Sequence, residues 1–216
     1  MRDIPVFTTE YGVATLIFKE IPYRQEAYIT IQASETPEEL LKECVSFCRM
    51  VGAEQVFARG HEYLEQYPLH TIIYEMRGEA RADEALVENL WPVTEETVGK
   101  WRTMMNERLA PVDHASTLET RQEKEIVASG GAYFVHHDGE LLGGGWIVDG
   151  ELLLVASFKP GAGTRVMHSL MSLMPGRQMR LDVVSTNDKA QRLYEKLGFI
   201  KTSEKHRWHR VFPGEV

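Results

Sequence analysis

Apolar and polar positions along this chain follow two rhythms, and the switch from one to the other outlines its elements. In the C-terminal portion, Asn89 to Val93 reads as a short strand. Thr94-Glu95-Glu96 then opens a helix to about Leu109, with acids in its first turn. A second helical pattern covers about Leu118 to Ala128 and stops at Ser129-Gly130-Gly131. Three apolar runs follow, from Ala132 to His137, Glu140 to Val148 and Glu151 to Phe158, separated by Asp138-Gly139 and Asp149-Gly150. Asp-Gly between apolar runs favours the tight turn of a hairpin, so the three runs predict an antiparallel meander. Thr164 to Met174 is the next helix, with Val166, Met167, Leu170, Met171 and Met174 on its buried side, and Pro175-Gly176 halts it. Met179 to Val184 is a strand. In the segment NDKAQRLYEKLGF that begins at Asn187, the residues Ala190, Leu193, Tyr194 and Leu197 fall at i, i+3, i+4 and i+7 and form one apolar helix face. Asn187 is its N-cap and Gly198 its left-handed C-terminal residue, with Phe199 free to fold back on Tyr194 or Leu193. His206 to Phe212 closes as a strand. The crossover from Glu151 to Val184 should set two parallel strands side by side.

The first 80 residues repeat part of this order. Ala14 to Phe18 and Ala27 to Ala33 suggest a hairpin with a Pro-containing connection. Pro37 to Val51 is a helix, Gln55 to Ala58 a strand, His61 to Tyr67 a short helix and His70 to Met76 a strand. Strand, helix, strand, short helix, strand is also the order of the final third, which points to a degenerate internal repeat. The polar, alanine-rich stretch from Gly78 to Glu88 reads as the linker, dividing the chain into 1–82 and 83–216.

Composition narrows the class. A chain of 216 residues, 43% apolar and 26% charged, is ordinary for a soluble globular protein. No apolar run approaches the roughly 20 residues that span a bilayer, so no membrane association is expected. The formal net charge of −8 argues against nucleic-acid binding, which needs a basic face. Two cysteines, Cys44 and Cys48, are too few for a disulfide framework, which makes a reducing cytoplasm the default location. They share a helix face and read as core.

The distribution of charge says more than its sum. From Leu152 to Leu181 there is no acid, while Lys159, Arg165, Arg177 and Arg180 are present. Inside this window, Phe158-Lys159-Pro160-Gly161-Ala162-Gly163-Thr164-Arg165 joins a strand to a helix. Gly161 and Gly163 permit close approach of a ligand to the backbone, and the helix start offers unpaired N–H groups and a partial positive charge. Lys159 and Arg165 add full charges, so this loop is an expected anion site. The corresponding helix of the first half opens Thr36-Pro37-Glu38-Glu39, a capping-box pattern whose carboxylates would repel a diphosphate. One anion site per chain follows.

A Gly-Ala-Gly loop opening a helix, then a strand, then N-x-x-A-x-x-x-Y-x-x-x-G-F resembles the GNAT superfamily of acyl-CoA-dependent N-acyltransferases. The resemblance covers about Leu90 to Val211, and the upstream half is similar to a second, truncated unit without the cofactor loop. It implies an α+β fold: a central mixed, mostly antiparallel sheet flanked by helices, preceded by a smaller half-GNAT-like unit. It also implies acetyl-CoA as acyl donor, no metal, and a small-molecule or peptide amine as acceptor, in a monomer or homodimer. Backbone groups of Val155, Ala156 and Ser157 would pair with the pantetheine arm, and the stretch Phe158, Lys159, Gly161, Ala162, Gly163, Thr164 and Arg165 would carry the diphosphate. Where the family pattern has Gln or Arg, this chain has Phe158. Asn187 would face the cofactor, Tyr194 would protonate the departing thiolate, and Glu151 or a water chain would deprotonate the amine, the alternative for Glu151 being a solvated carboxylate after the hairpin turn. A strand N–H near Val155 would steady the developing oxyanion. The bland alternative for Tyr194 is a packed ring whose hydroxyl finds a carbonyl. The alternative for the whole chain is a non-catalytic acyl-CoA-binding or scaffold protein. His136-His137-Asp138 has the residue types of a metal cluster, but neighbours on a strand point to opposite faces, so no shared ion is expected.

Overall fold

The structure, a computed structural model, describes residues 5–212. In chain order its elements are β1 (Val6–Thr9), β2 (Gly12–Ile17), α1 (Ile21–Arg24), β3 (Glu26–Ala33), α2 (Pro37–Met50), β4 (Gln55–Arg59) and β5 (Leu69–Glu79). Next come β6 (Asn89–Pro92), α3 (Val98–Leu109), α4 (Glu123–Ser129), β7 (Ala132–His137), β8 (Glu140–Val148) and β9 (Glu151–Ser157). The last four are α5 (Gly163–Met171), β10 (Gln178–Val184), α6 (Asp188–Lys196) and β11 (Ile200–Phe212). The class is α+β, with mostly antiparallel sheets flanked by helices. The chain forms two compact units, one of residues up to Ile72 together with those from His206, the other of Ile73–Lys205.

In the first unit the strand order is β1-β2-β3-β4-β11, with β3 and β4 parallel and the rest antiparallel. Helix α2 buries Leu40, Leu41, Cys44 and Cys48, one stripe of an amphipathic helix, against Ala14, Leu16, Ile29, Val56 and Ala58. The capping box expected at Thr36 does not form. The Thr36 hydroxyl turns to the Tyr11 carbonyl at 3.5 Å, and Glu38 pairs with Lys42 at 2.6 Å. Two short elements, β1 and α1, escape the periodicity because each has only four residues.

In the second unit the order is β5-β10-β9-β8-β7-β6, and the β9–β10 pair is parallel as the crossover predicts. Both Asp-Gly turns have positive φ at each residue (46° and 80° at Asp138-Gly139, 49° and 78° at Asp149-Gly150), the geometry of the tight hairpin turn. Successive strand residues serve two cores. Val135, Leu152, Leu181 and Val183 join Val166, Met167 and Leu170 of α5 and Tyr194 of α6. Phe134, Trp146 and Ala156 join Trp101 and Met105 of α3 and Ile126 of α4.

The stretch from Gly78 to Glu88 is packed, not a free connector. Gly78 and Glu79 belong to β5, and Ala80 is buried and exchanges backbone bonds with Arg177 and Gly176. The Asp83 N–H donates to His168 Nδ1 at 3.0 Å, and the Glu88 N–H donates to Ser169 Oγ at 2.8 Å. Small alanines permit the close fit, and two polar side chains of α5 satisfy the strap's donors.

Order within the two repeats matches, β3-α2-β4-β5 against β9-α5-β10-α6-β11, but their third strands are exchanged. Residues 73–79 of β5 pair with β10, and residues 209–212 of β11 pair with β4. This exchange places the unit boundaries inside β5 and β11, whereas composition alone pointed to 82/83.

Candidate active site

Strands β9 and β10 pair only at Glu151↔Arg180 and Leu152↔Leu181 and then diverge. The cause lies one residue on. Register on the β8 side jumps from Trp146↔Leu154 to Ile147↔Leu152, leaving Leu153 as the extra residue of a bulge. A bulge bends and twists its strand, and here it turns β9 away from β10. In the first unit the matching pair β3–β4 stays zipped from Glu26↔Gln55 to Thr30↔Arg59. A gap beside the second strand of the crossover therefore exists in one unit and not in the other.

Backbone alternation tells which groups line the gap. The Phe158 N–H donates to the Leu142 carbonyl of β8 at 2.8 Å. Ala156 therefore also faces β8, and Val155 and Ser157 turn their N–H and C=O groups the other way, into the space β10 has vacated. An extended ligand can complete such an edge as an added strand.

At the end of this edge the chain turns through Gly161, whose φ of +79° is left-handed, and enters α5 at Gly163. Ala162 provides no side-chain cap, and the first turn holds no acid. Nothing within α5 can pair the amides of Gly163, Thr164 and Arg165, which leaves a seat for an anion. The helix reaches this position because β8 carries Gly143-Gly144-Gly145. A Cβ on Gly143 would stand 2.5 Å from Val166 Cγ2 and from the Ala156 carbonyl, and one on Gly145 would stand 2.3 Å from Leu170 Cδ1. Lys159 and Arg165 are both near the seat but not free. Lys159 pairs with Glu140, and Arg165 NH1 bonds Glu88 Oε1 at 2.6 Å. The acid-free window thus draws its counter-charges from outside itself. Phe158 is buried in the α3/α4 core, which explains an apolar residue at this place, and Arg108 of α3 donates to its carbonyl. Arg108 brings a cation to the loop across 50 residues of sequence, which no local pattern announces.

Tyr194 lies in the same core as Ala162 and Val166 and is only 7% exposed. Its hydroxyl makes no hydrogen bond with any described residue, so the carbonyl partner of the bland alternative is absent among them. Burial pushes its pKa up to about 12 and keeps it protonated at neutral pH. Leu193 contacts the loop, since a Cβ on Gly163 would sit 3.4 Å from its Cδ2. Asn187 caps α6 as expected, accepting from the Ala190 N–H at 3.1 Å. Gln191, unremarked in the sequence, fixes the turn into α6 by donating to the Val184 and Ser185 carbonyls at 3.2 and 2.9 Å. Gly198 has φ +87°, and the Phe199 ring centroid lies 6.1 Å from that of Tyr194.

Glu151 stands at the paired end of β9, where Arg180 bonds its Oε2 at 2.7 and 3.1 Å. Four residues of strand, roughly 13 Å, separate it from Val155. His137 bonds Glu88 at 2.7 Å and lies 3.4 Å from Asp138, while the His136 ring packs edge-on near Trp91. Among the described residues no group of three His, Cys, Asp or Glu is placed to hold a metal, and no helix is long and apolar enough to cross a membrane.

Comparison with known proteins agrees with this fold. The family model described as acetyltransferase (GNAT) family matches residues 85–199, more than half of the chain. A GCN5-related N-acetyltransferase from Sphaerobacter thermophilus superposes with a TM-score of 0.56 at 15% identity, covering 94% of this chain and 78% of that one. A putative acetyltransferase from Pyrococcus horikoshii gives 0.60 at 13% identity, covering 95% and 70%. At such identities the likeness is one of fold. No curated protein matches the chain. With the family pattern running through β9, the glycine loop, α5, β10 and α6, the chain belongs to the acetyltransferase (GNAT) family.

Proposed function

We propose that this protein transfers an acetyl group from acetyl-CoA to a primary amine of a small molecule or peptide. The observation that carries the reading is the gap between β9 and β10, an open strand edge that leads directly to the uncapped start of α5. Val155 and Ser157 would hold the pantetheine amides, and the amides of Gly163, Thr164 and Arg165 the diphosphate. The bulge and the glycine loop are the parts of this chain that fit such a substrate. The first unit, zipped at β3–β4 and carrying Glu38 and Glu39 in the first turn of α2, offers no second place for one.

In the reaction the amine nitrogen attacks the thioester carbonyl carbon. A C–N bond forms, the C–S bond breaks, and the nitrogen gives up a proton. The departing thiolate takes a proton from the Tyr194 hydroxyl, which burial keeps available. Glu151, whose Oε1 makes no bond to a described residue, receives the amine's proton through water, because the strand distance is too long for direct contact. The oxyanion is met by main-chain N–H groups of the β9 edge, which need no reorganisation.

The test is a thermal shift with acetyl-CoA followed by thiol release on adding a panel of amines. A ligand at about 100 times its Kd adds roughly 2.7 kcal/mol to stability. A shift with turnover supports the transferase. A shift without turnover for any amine supports an acyl-CoA-binding protein, and no shift removes both.

A further inference from the structure

The charge at the α5 seat is governed by a residue outside the glycine loop. Glu88 lies just before β6, and only 8% of its side chain is exposed. Its N–H donates to Ser169 Oγ at 2.8 Å, and Ser169 Oγ donates to the Arg165 carbonyl at 2.7 Å, so Glu88 is tied to α5 by its backbone. Its carboxylate faces two ways: Oε1 takes Arg165 NH1 at 2.6 Å, and Oε2 takes His137 Nδ1 at 2.7 Å. Resting on the reading that α5 seats a diphosphate, we propose that Glu88 is a positioning residue of that seat, and that through it His137 sets the charge the seat presents.

The charges can be followed around the loop. Lys159 is matched by Glu140 from the β7–β8 hairpin, and Arg165 is matched by Glu88. The other acid facing His137 is Asp138, 90% exposed, on its own turn. With His137 neutral, the Glu88–Arg165 pair sums to zero, and the seat attracts an anion by its main-chain dipoles and by Arg108, which sits at the Phe158 carbonyl. With His137 protonated, the three groups carry a net +1, and Glu88 divides its pull between two cations. Burial alone would raise the Glu88 carboxyl, but the bonds from His137 and Arg165 outweigh it and hold the carboxyl below its usual range. Glu88 therefore stays charged whether His137 is neutral or protonated. An anion binds more tightly when His137 is protonated, and by reciprocity the bound anion favours the protonated histidine. His137 is half exposed, so screening limits the effect to roughly three- to tenfold in Kd.

Dephospho-coenzyme A is the probe, because its diphosphate keeps its charge across this range and the titrating 3′-phosphate is absent. Its Kd is measured by calorimetry at about pH 6 and about pH 8 for wild type, His137→Gln and Glu88→Gln, with Tm recorded for each. Wild type is expected to bind roughly three- to tenfold more tightly at the lower pH. His137→Gln is expected to hold the wild-type high-pH affinity at both, and Glu88→Gln to lose most of the slope as Arg165 and His137 come apart. Binding with a flat profile in wild type, or a slope that survives in His137→Gln, overturns the proposal and leaves the diphosphate seat standing. No binding at either pH removes the seat and the proposal together. Should Glu88→Gln fold poorly, His137→Gln alone decides, since its side chain is half exposed.

Discussion

Gly143→Ala tests whether the depth of α5 on the sheet makes the site. The backbone of Gly143 is outside the left-handed region, so alanine meets no conformational barrier there. What it meets is substance: Val166 Cγ2 and the Ala156 carbonyl, each 2.5 Å from the new methyl, against an ordinary contact that begins at 3.4 Å. The difference, 3.4 − 2.5, obliges α5 or β9 to move by about 0.9 Å. Val166 is fully buried and the carbonyl is held by the β8–β9 ladder, so neither can swing aside cheaply. Overpacking of this kind costs about 1–3 kcal/mol, and the stiffer unfolded chain returns roughly 0.4–1. A net loss on the order of 1–2 kcal/mol lowers Tm by about 2–8 °C for a chain of this size. The same movement separates the α5 amides from the Val155–Ser157 edge. An offset near 1 Å can cost up to roughly 10²-fold, so kcat/KM for acetyl-CoA should fall about ten- to a hundredfold. Gly99→Ala in helix α3 is the control, because the new methyl's nearest neighbour is Glu123 Oε1 of α4 at 3.7 Å, and it should be neutral or stabilising by about 1 kcal/mol. Calorimetry and steady-state kinetics read both. A Gly143→Ala protein with wild-type Tm and wild-type kcat/KM refutes the account.

Tyr194→Phe should lower kcat by roughly 10²-fold or more with KM for acetyl-CoA little changed; an unaltered kcat makes the ring core only. Because burial pushes Tyr194 up to about 12, its loss of the proton should leave no limb in the wild-type pH–rate profile near neutrality, a prediction that rate measurements to about pH 10 check. Glu151→Gln should reduce kcat/KM at least about tenfold; an unchanged kcat/KM means that the amine's proton leaves without this carboxylate. Burial pushes the thiols of Cys44 and Cys48 up to about 12 each, so neither should react with a disulfide reagent in the native protein at neutral pH. Labelling of either within seconds, before any unfolding, contradicts that environment.

The parts of this molecule that were legible in the sequence are those whose cause is local. The α6 stripe, its Asn187 cap, its Gly198 stop and the two Asp-Gly turns all depend on residues within one or two turns of each other, and all stand where the pattern puts them. The gap between β9 and β10 is different. Its bulge falls at Leu153 in a run of three leucines, where nothing distinguishes the extra residue until β8 is laid beside it. Likewise the acid-free window is real, but the carboxylates that answer it, Glu88 and Glu140, come from far along the chain in one case and from a hairpin tip in the other. The glycine triplet of β8 takes its meaning only from Val166, Leu170 and Trp101, which press against it.

The exchanged third strands also bear on how the chain is made. While the ribosome is still at work, β5 is already waiting when β10 is completed, so the second sheet never lacks its neighbour. For β4 the wait is long: its partner residues in β11 are synthesised about 150 residues later, roughly 8–30 s at ordinary elongation rates. Throughout that interval the nascent first unit carries a bare strand flank, the kind of surface that chaperones shield and that other chains join.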